Sequence, residues 1–333
     1  MEPLTRTRDL IVIGASAGGV AALQRLAAGL PADLPAAVLV VLHVGTHPSV
    51  LPDLLNYRGP LPARHAVDGE AIVPGRIYVA PPDHHLLVEG RALRLTHGPR
   101  EHHTRPAVDP LFRSAALEHG SAVVGIVLTG CLDDGTAGLQ AVKACGGVAI
   151  VQDPREAEEP SMPESALRHV EVDHCVALAE MPKLLQSLLG PVPSGPGATP
   201  APGVGHEQAL QRAEGNSMED LNAVGTPSTF VCPDCRGSLW EMRDAEPPRF
   251  RCHTGHAYSL RSLQETQSKA TEEALWSAVR ALQEKEQLMR RMAEWRSRHG
   301  SEAPLGETHR EAAERLAAQA EVLRRLLVEG AAP

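Results

Sequence analysis

Four stretches of the chain are apolar at nearly every position rather than at every second one. Residues 9–13 run into Gly14, residues 36–42 stop at His43, residues 122–129 stop at Gly130, and residues 147–151 form the fourth. A strand that is apolar on both faces turns neither face to water, which is how strands of a parallel sheet covered by helices on both sides read. After the first run, Val20, Leu23 and Leu26 fall at helical spacing within 19–29, and another helix is predicted from about residue 136. Strands alternating with helices predict right-handed crossovers. The expected fold class is therefore α/β, a three-layer α/β/α, doubly wound, mostly parallel sheet over residues 8–190. The segment 76–96 departs from this pattern. Its short apolar pieces, separated by Pro-Pro-Asp and Glu-Gly, predict an antiparallel hairpin at one edge of the sheet.

The pattern changes again after residue 190. Pro191, Pro193, Pro196, Pro200 and Pro202 stand among several glycines, and the polar stretch continues to Thr229. That composition predicts a linker over 191–229. A Cys-rich segment follows at 230–258, then two helices within 259–329. The first helix places Leu275, Val279, Leu282, Met289 and Ala293 on one stripe; the second places Ala313, Leu316, Ala320, Leu323 and Leu327 on another. Both stripes suit an αα-hairpin or coiled-coil contact, and equally suit helices packed on their own domain.

Composition narrows the function classes. The chain has 333 residues and is 43% apolar, enough for a sizeable core, which at 3% aromatic content must be mostly aliphatic. A net charge of -9 without a basic run argues against nucleic acid or an anionic membrane as partner. No stretch approaches the roughly 20 apolar residues of a membrane span. The N-terminus lacks the apolar region of a signal peptide, so the expected location is the cytoplasm. In a reducing compartment, clustered cysteines point to metal rather than disulfides. Cys232 and Cys235, then sixteen residues, then Cys252 and His256 have the spacing of two knuckles around one tetrahedral Zn²⁺, with His253 as a rival to His256. With all four positions filled by protein, such a zinc is expected to be structural.

The candidate chemistry lies where the apolar runs end. Gly14-Ala15-Ser16-Ala17-Gly18-Gly19 joins a buried strand to a helix. It reads either as a phosphate-binding glycine loop or as a Gly-x-Ser-x-Gly nucleophile elbow whose helix N-terminus offers N–H groups to a developing oxyanion. The second strand separates the two. A dinucleotide site usually has an acid there to hold a ribose, whereas this strand ends in His43, which suits general-base work. Neighbouring strands of a parallel sheet share one crevice at their carboxyl ends, so Ser16 and His43 are expected to meet. The third run leads into Thr129-Gly130-Cys131-Leu132-Asp133-Asp134-Gly135. Either aspartate there can orient an imidazole or cap the following helix.

Taken together these motifs resemble the catalytic domain of the chemotaxis-receptor glutamate methylesterases, the CheB family, over about residues 8–190. Gly14–Gly19 resembles the family's Gly-Ala-Ser-Thr-Gly-Gly, and Leu42-His43 its Gln-His. Asp68-Gly69-Glu70 with 74–81 resembles its hairpin region, and Arg105-Pro106-Ala107-Val108-Asp109 its Arg-Pro-Ser-Val-Asp. Leu128-Thr129-Gly130 with Asp134-Gly135 resembles Leu-Thr-Gly-Met-Gly-x-Asp-Gly. The resemblance implies a triad of Ser16, His43 and Asp134, with the backbone N–H groups of Ala17 and Cys131 as oxyanion donors. It implies hydrolysis of glutamate methyl esters, and deamidation of glutamine, on a methylated chemoreceptor or receptor-like protein. No cofactor for catalysis is implied, and other chemosensory signalling proteins are partners in prospect. Ala17 stands where the family has Thr, and Cys131-Leu132 where it has Met-Gly. With strand one beginning near residue 9, no receiver domain is expected ahead of it. The alternative is a non-catalytic scaffold, with a Rossmann-like domain and a zinc-dependent interaction module.

Overall fold

The structure is a computed structural model, and it describes residues 6–192, 203–212, 217–243, 245–299 and 305–329. It divides into two units, Met1–Leu263 and Gln264–Pro333.

The first unit is built on a seven-stranded sheet. Its strands are β1 (Leu10–Ala15), β2 (Ala37–Leu42), β3 (Ala63–His65), β4 (Ile77–Val79), β5 (Val123–Val127), β6 (Val148–Gln152) and β7 (His174–Val176). The spatial order is β7-β6-β5-β1-β2-β4-β3, and every pairing is parallel. Six helices cover it: α1 (Gly19–Gly29), α2 (Leu51–Arg58), α3 (Val108–His119), α4 (Thr136–Ala144), α5 (Ser161–His169) and α6 (Met181–Leu188). The period of two along each strand divides the core. Leu10 and Val12 of β1 with Leu39 and Val41 of β2 pack under α3, α4 and α5, while Ile11, Ile13, Val38 and Val40 pack under α1, α2 and α6. At the end of β1 the approach to α3 is close. A Cβ on Gly14 would lie 2.3 Å from Val108 Cγ1, so a glycine is needed for the start of α3 to sit over the strand.

Two expectations need correction. Residues 76–96 are not one edge hairpin. Ile77–Val79 is buried and pairs in parallel with β2, Val38 opposite Ile77, inside the main sheet. Only His85–Glu89 and Ala92–Thr96 form an antiparallel hairpin. It lies in the helix layer, with Leu86, Val88 and Leu93 in the same cluster as Leu111 and Phe112 of α3. The expected linker is also largely structured. Residues 193–202 and 213–216 lie outside the described residues, but α7 (Val204–Arg212), α8 (Ser217–Val224) and a strand, β8 (Gly225–Val231), occupy the rest. β8 opens a four-stranded antiparallel sheet with β9 (Ser238–Met242), β10 (Arg249–Cys252) and β11 (Ala257–Ser259). This Cys-rich ribbon belongs to the same unit as the large sheet.

Buried ion pairs join it there, alongside Val204 of α7, which packs in the main apolar cluster. Glu207 of α7 accepts from both terminal nitrogens of Arg249 at 2.9 and 3.0 Å and from Arg251 at 3.3 Å. Glu101 takes Arg113 of α3 at 2.6 Å and Arg251 at 2.9 Å. Burial alone would raise the Glu207 pKa, but the charges of Arg249, Arg113 and Arg251 hold it down at about 2.

The second unit holds most of α9 (Leu260–Arg298) and all of α10 (Leu305–Glu329). Among its described residues the buried apolar positions are Val279, Ala293, Ala313 and Ala320, all on the predicted stripes. Leu282 lines a groove with Ala318, Val322 and Leu323. Among the described residues no helix is long and apolar enough to cross a membrane.

Removing one partner from a buried ion-pair network leaves the others uncompensated, at a cost of about 3–5 kcal/mol. Glu207→Gln is therefore expected to lower the urea unfolding free energy of the first unit by that amount. A free linker at this position would give no change.

Candidate active site

Ser16, His43 and Asp134 come from three loops at the carboxyl ends of β1, β2 and β5. His43 Nδ1 lies 3.2 Å from Ser16 Oγ, and His43 Nε2 lies 2.8 Å from Asp134 Oδ2. The sheet fixes the first contact: Ala15 pairs with Leu42, and the His43 N–H donates to the Ala15 carbonyl at 3.2 Å. The imidazole is 17% exposed and the carboxylate 1%, so the chain of contacts runs from the surface inwards. Of the two candidate acids it is Asp134 that touches His43. Asp133 Oδ1 accepts instead from Ser259 Oγ, at 2.7 Å.

Asp134 is held by more than His43. Its Oδ2 accepts the Val108 N–H at 2.7 Å, and its Oδ1 accepts the N–H groups of Asp109 at 3.0 Å and Gly135 at 2.8 Å. Val108 and Asp109 open α3, so the carboxylate answers donors that a helix N-terminus leaves over. Asp109, in the first turn of α3, returns the arrangement. Its Oδ1 accepts from Gly135 at 3.0 Å and Gly138 at 2.6 Å, at the start of α4.

A second histidine, which the sequence reading did not single out, closes this cluster. His102 is buried; its Nε2 lies 2.9 Å from Asp109 Oδ2 and 3.7 Å from Asp134 Oδ1, and its Nδ1 lies 3.7 Å from Asp133 Oδ1. Burial alone would discharge it. The charges of Asp134 and Asp109, the hydrogen bond to Asp109 and the charge of Asp133 prevail and push its pKa up to about 10. It is therefore an imidazolium at neutral pH. Burial would likewise protonate Asp134, but the His102 charge and the His43 hydrogen bond hold its pKa well below the usual carboxylate range.

The loops carrying Ala17 and Cys131 meet beside Ser16. The Ser16 N–H donates to Thr129 O at 3.0 Å, and the Thr129 hydroxyl to Ala17 O at 2.9 Å. A Cβ on Gly130 would lie 2.7 Å from Ser16 Cβ and 2.2 Å from Met162 Sδ, so only a glycine lets the two loops touch. Leu132 adopts φ 62, the left-handed region, at the position where the resembled motif has glycine. A residue with a Cβ there costs roughly 1–2 kcal/mol.

Away from this crevice, the ligand atoms of Cys232, Cys235, Cys252 and His256 all lie within 4.8 Å of one another. His253 is outside that group, its ring against the Gly237 backbone.

The family description "CheB methylesterase" matches residues 11–185, more than half of the chain. The chain belongs to the CheB methylesterase family. A putative protein-glutamate methylesterase/protein-glutamine glutaminase of Leptospira interrogans is 35% identical over 182 residues, 53% of this chain and 92% of that protein. A protein-glutamate methylesterase/protein-glutamine glutaminase of Geobacter metallireducens is 38% identical over 184 residues, 54% of this chain and half of its own length. The crystal structure of the Thermotoga maritima CheB methylesterase catalytic domain superposes with a TM-score of 0.52 at 31% identity, covering 54% of this chain and 98% of that one. The family's named activity makes the chain a carboxylic ester hydrolase.

Two outcomes follow from the geometry. A group whose folded pKa is raised stabilises fully below its unfolded pKa and stops doing so once the pH passes the folded one. The stability gap between the wild type and His102→Gln should thus be complete below about pH 6.5 and close towards about pH 10, read by urea titrations across that range. Separately, Leu132→Gly should raise the melting temperature, by the equivalent of ~1 kcal/mol or less because glycine also loosens the unfolded chain.

Proposed function

We propose that this chain removes methyl groups from glutamate γ-methyl esters, and deamidates glutamine side chains, on a methyl-accepting chemoreceptor-like protein in bacterial chemosensory signalling. The observation that carries this reading is the hydrogen-bonded series Ser16 Oγ, His43 and Asp134 at the mouth of the crevice. Ser16 Oγ attacks the ester carbonyl as His43 Nδ1 takes its proton. The proton on Nε2 stays on the imidazole, held by ionised Asp134, which steadies the imidazolium as it forms. The tetrahedral oxyanion is met by the backbone N–H groups of Ala17 and Cys131. Collapse breaks the C–O bond, and methanol leaves with the proton from His43. Water, deprotonated by the same nitrogen, attacks the acyl-enzyme and returns glutamate and free Ser16. A glutamine substrate follows the same course, with ammonia in place of methanol.

Methanol release from a methylated receptor tests the proposal. Ser16→Ala should abolish it while leaving the melting temperature near that of the wild type. Asp134→Asn should slow it by roughly 10⁴-fold, because the imidazole loses its correct tautomer. Asp133→Asn should cost far less, since Asp133 does not reach His43. A wild type that releases no methanol from any methylated receptor would leave the scaffold reading standing in its place.

A further inference from the structure

The ribbon carries a cluster that the esterase chemistry does not use. Three of its internal distances are informative: Cys252 Sγ to His256 Nδ1 is 3.5 Å, Cys235 Sγ to Cys252 Sγ is 3.6 Å and Cys232 Sγ to His256 Nδ1 is 3.7 Å. A disulfide would bring two sulfurs to about 2.0 Å. A tetrahedral zinc, with Zn–S near 2.3 Å and Zn–N near 2.0–2.1 Å, needs edges of about 3.5–3.8 Å. The backbone is folded to match. The Arg236 N–H returns to Cys232 O at 2.9 Å with Arg236 at φ 64, and the Gly255 N–H returns to Cys252 O at 2.9 Å with Gly255 at φ 104. Each knuckle thus turns its ligands to one point. The cluster replaces a core, since the ribbon's own apolar centre amounts to Leu239, Phe250, Tyr258 and Leu263 around the cysteines.

The residue after His256 touches the loop behind the triad. Ala257 O accepts the His102 N–H at 2.8 Å, and the Ala257 N–H donates to Arg100 O at 3.2 Å. Ser259 holds Asp133, and Asp234 Oδ1 lies 3.4 Å from His103 Nδ1. His102 and His103 both sit in the left-handed region, at φ 51 and 61. Two such residues in a row persist only where their surroundings hold them.

We propose that Cys232, Cys235, Cys252 and His256 bind one Zn²⁺, and that the metal-loaded ribbon is the brace that keeps His102 against Asp109 and beside Asp134. Metal occupancy is then coupled to the reactivity of Ser16. The second half rests on the reading of Ser16 as nucleophile; the first does not.

The experiment uses the full-length chain. Zinc content should be about one per chain, and Co²⁺ substituted for it should give the visible absorption of a tetrahedral thiolate site. Cys235→Ser should abolish both. Absence of stoichiometric metal, or a cobalt spectrum unchanged in Cys235→Ser, overturns the site. Ser16 reactivity is followed by labelling with a fluorophosphonate, which needs no receptor. Stripping the metal with a chelator should slow labelling about ten-fold or more, as displacement of a positioning group does. It should also move the acid limb of the labelling profile to higher pH. With His102 no longer opposite Asp109, Asp133 and Asp134, the full charge of Asp134 acts on His43. Added Zn²⁺ should reverse both changes. Unaltered labelling in the metal-free chain, or a lost labelled fraction with an unmoved limb, overturns the brace. Methanol release is measured in parallel, so failure of the methylesterase reading leaves the metal and labelling results intact.

Discussion

Asp134 and Asp109 each cap the helix that the other one serves. A carboxylate taken out of water is stable only where its lone pairs are answered. Here the answer comes from the unpaired amides of two helix starts, α3 for Asp134 and α4 for Asp109, with the His102 imidazolium supplying positive charge between them. The exchange fixes the two helices against each other. It also leaves Asp134 Oδ2 pointing at a single further donor, His43 Nε2. The orientation of the base is thus a by-product of how two helices pack.

Much of this was legible in the sequence because burial on both faces leaves an unbroken apolar run. β1, β2, β5 and β6 announce themselves in that way, and residues that end such runs in a parallel sheet are brought to one crevice by topology. Ser16, His43 and the Cys131–Asp134 loop followed from that rule. The short strand β4 did not, because three residues between Arg76 and Ala80 carry too little period to separate a buried parallel strand from a hairpin. α7 was hidden for a different reason. Its Glu207 looks solvated in sequence and is 4% exposed in the structure, because its partners Arg249 and Arg251 lie some forty residues further on. His102 was obscured in the same way, within a run Glu101-His102-His103-Thr104 that reads as a polar loop. The one local sign was Asp109, an acid in the first turn of a helix, where a negative charge is favoured.

The charged network sets this chain's first unit apart from a bare sheet-and-helix domain. The family match ends at residue 185, yet the guanidinium of Arg251 closes over Glu101 from beyond it. Glu101, Arg113 and Arg251 are each about 1% exposed. Charges so placed contribute little net stability compared with apolar residues of the same size, but they tolerate few alternative arrangements. The ribbon is accordingly held in one register against the loop preceding α3.

His43 presents Nδ1, not Nε2, to the serine. Nδ1 is the ring nitrogen nearer the main chain, so a base that works through it has a short reach. It has to stand on the strand next to the nucleophile, and at the right step along it. A slip of one residue between β1 and β2 would turn every side chain of the shifted strand to the opposite face. Nucleophilicity here is therefore a property of strand register. In refolding, Ser16 should become reactive only as the central pair of strands locks, so that the chain reports the completion of its own sheet.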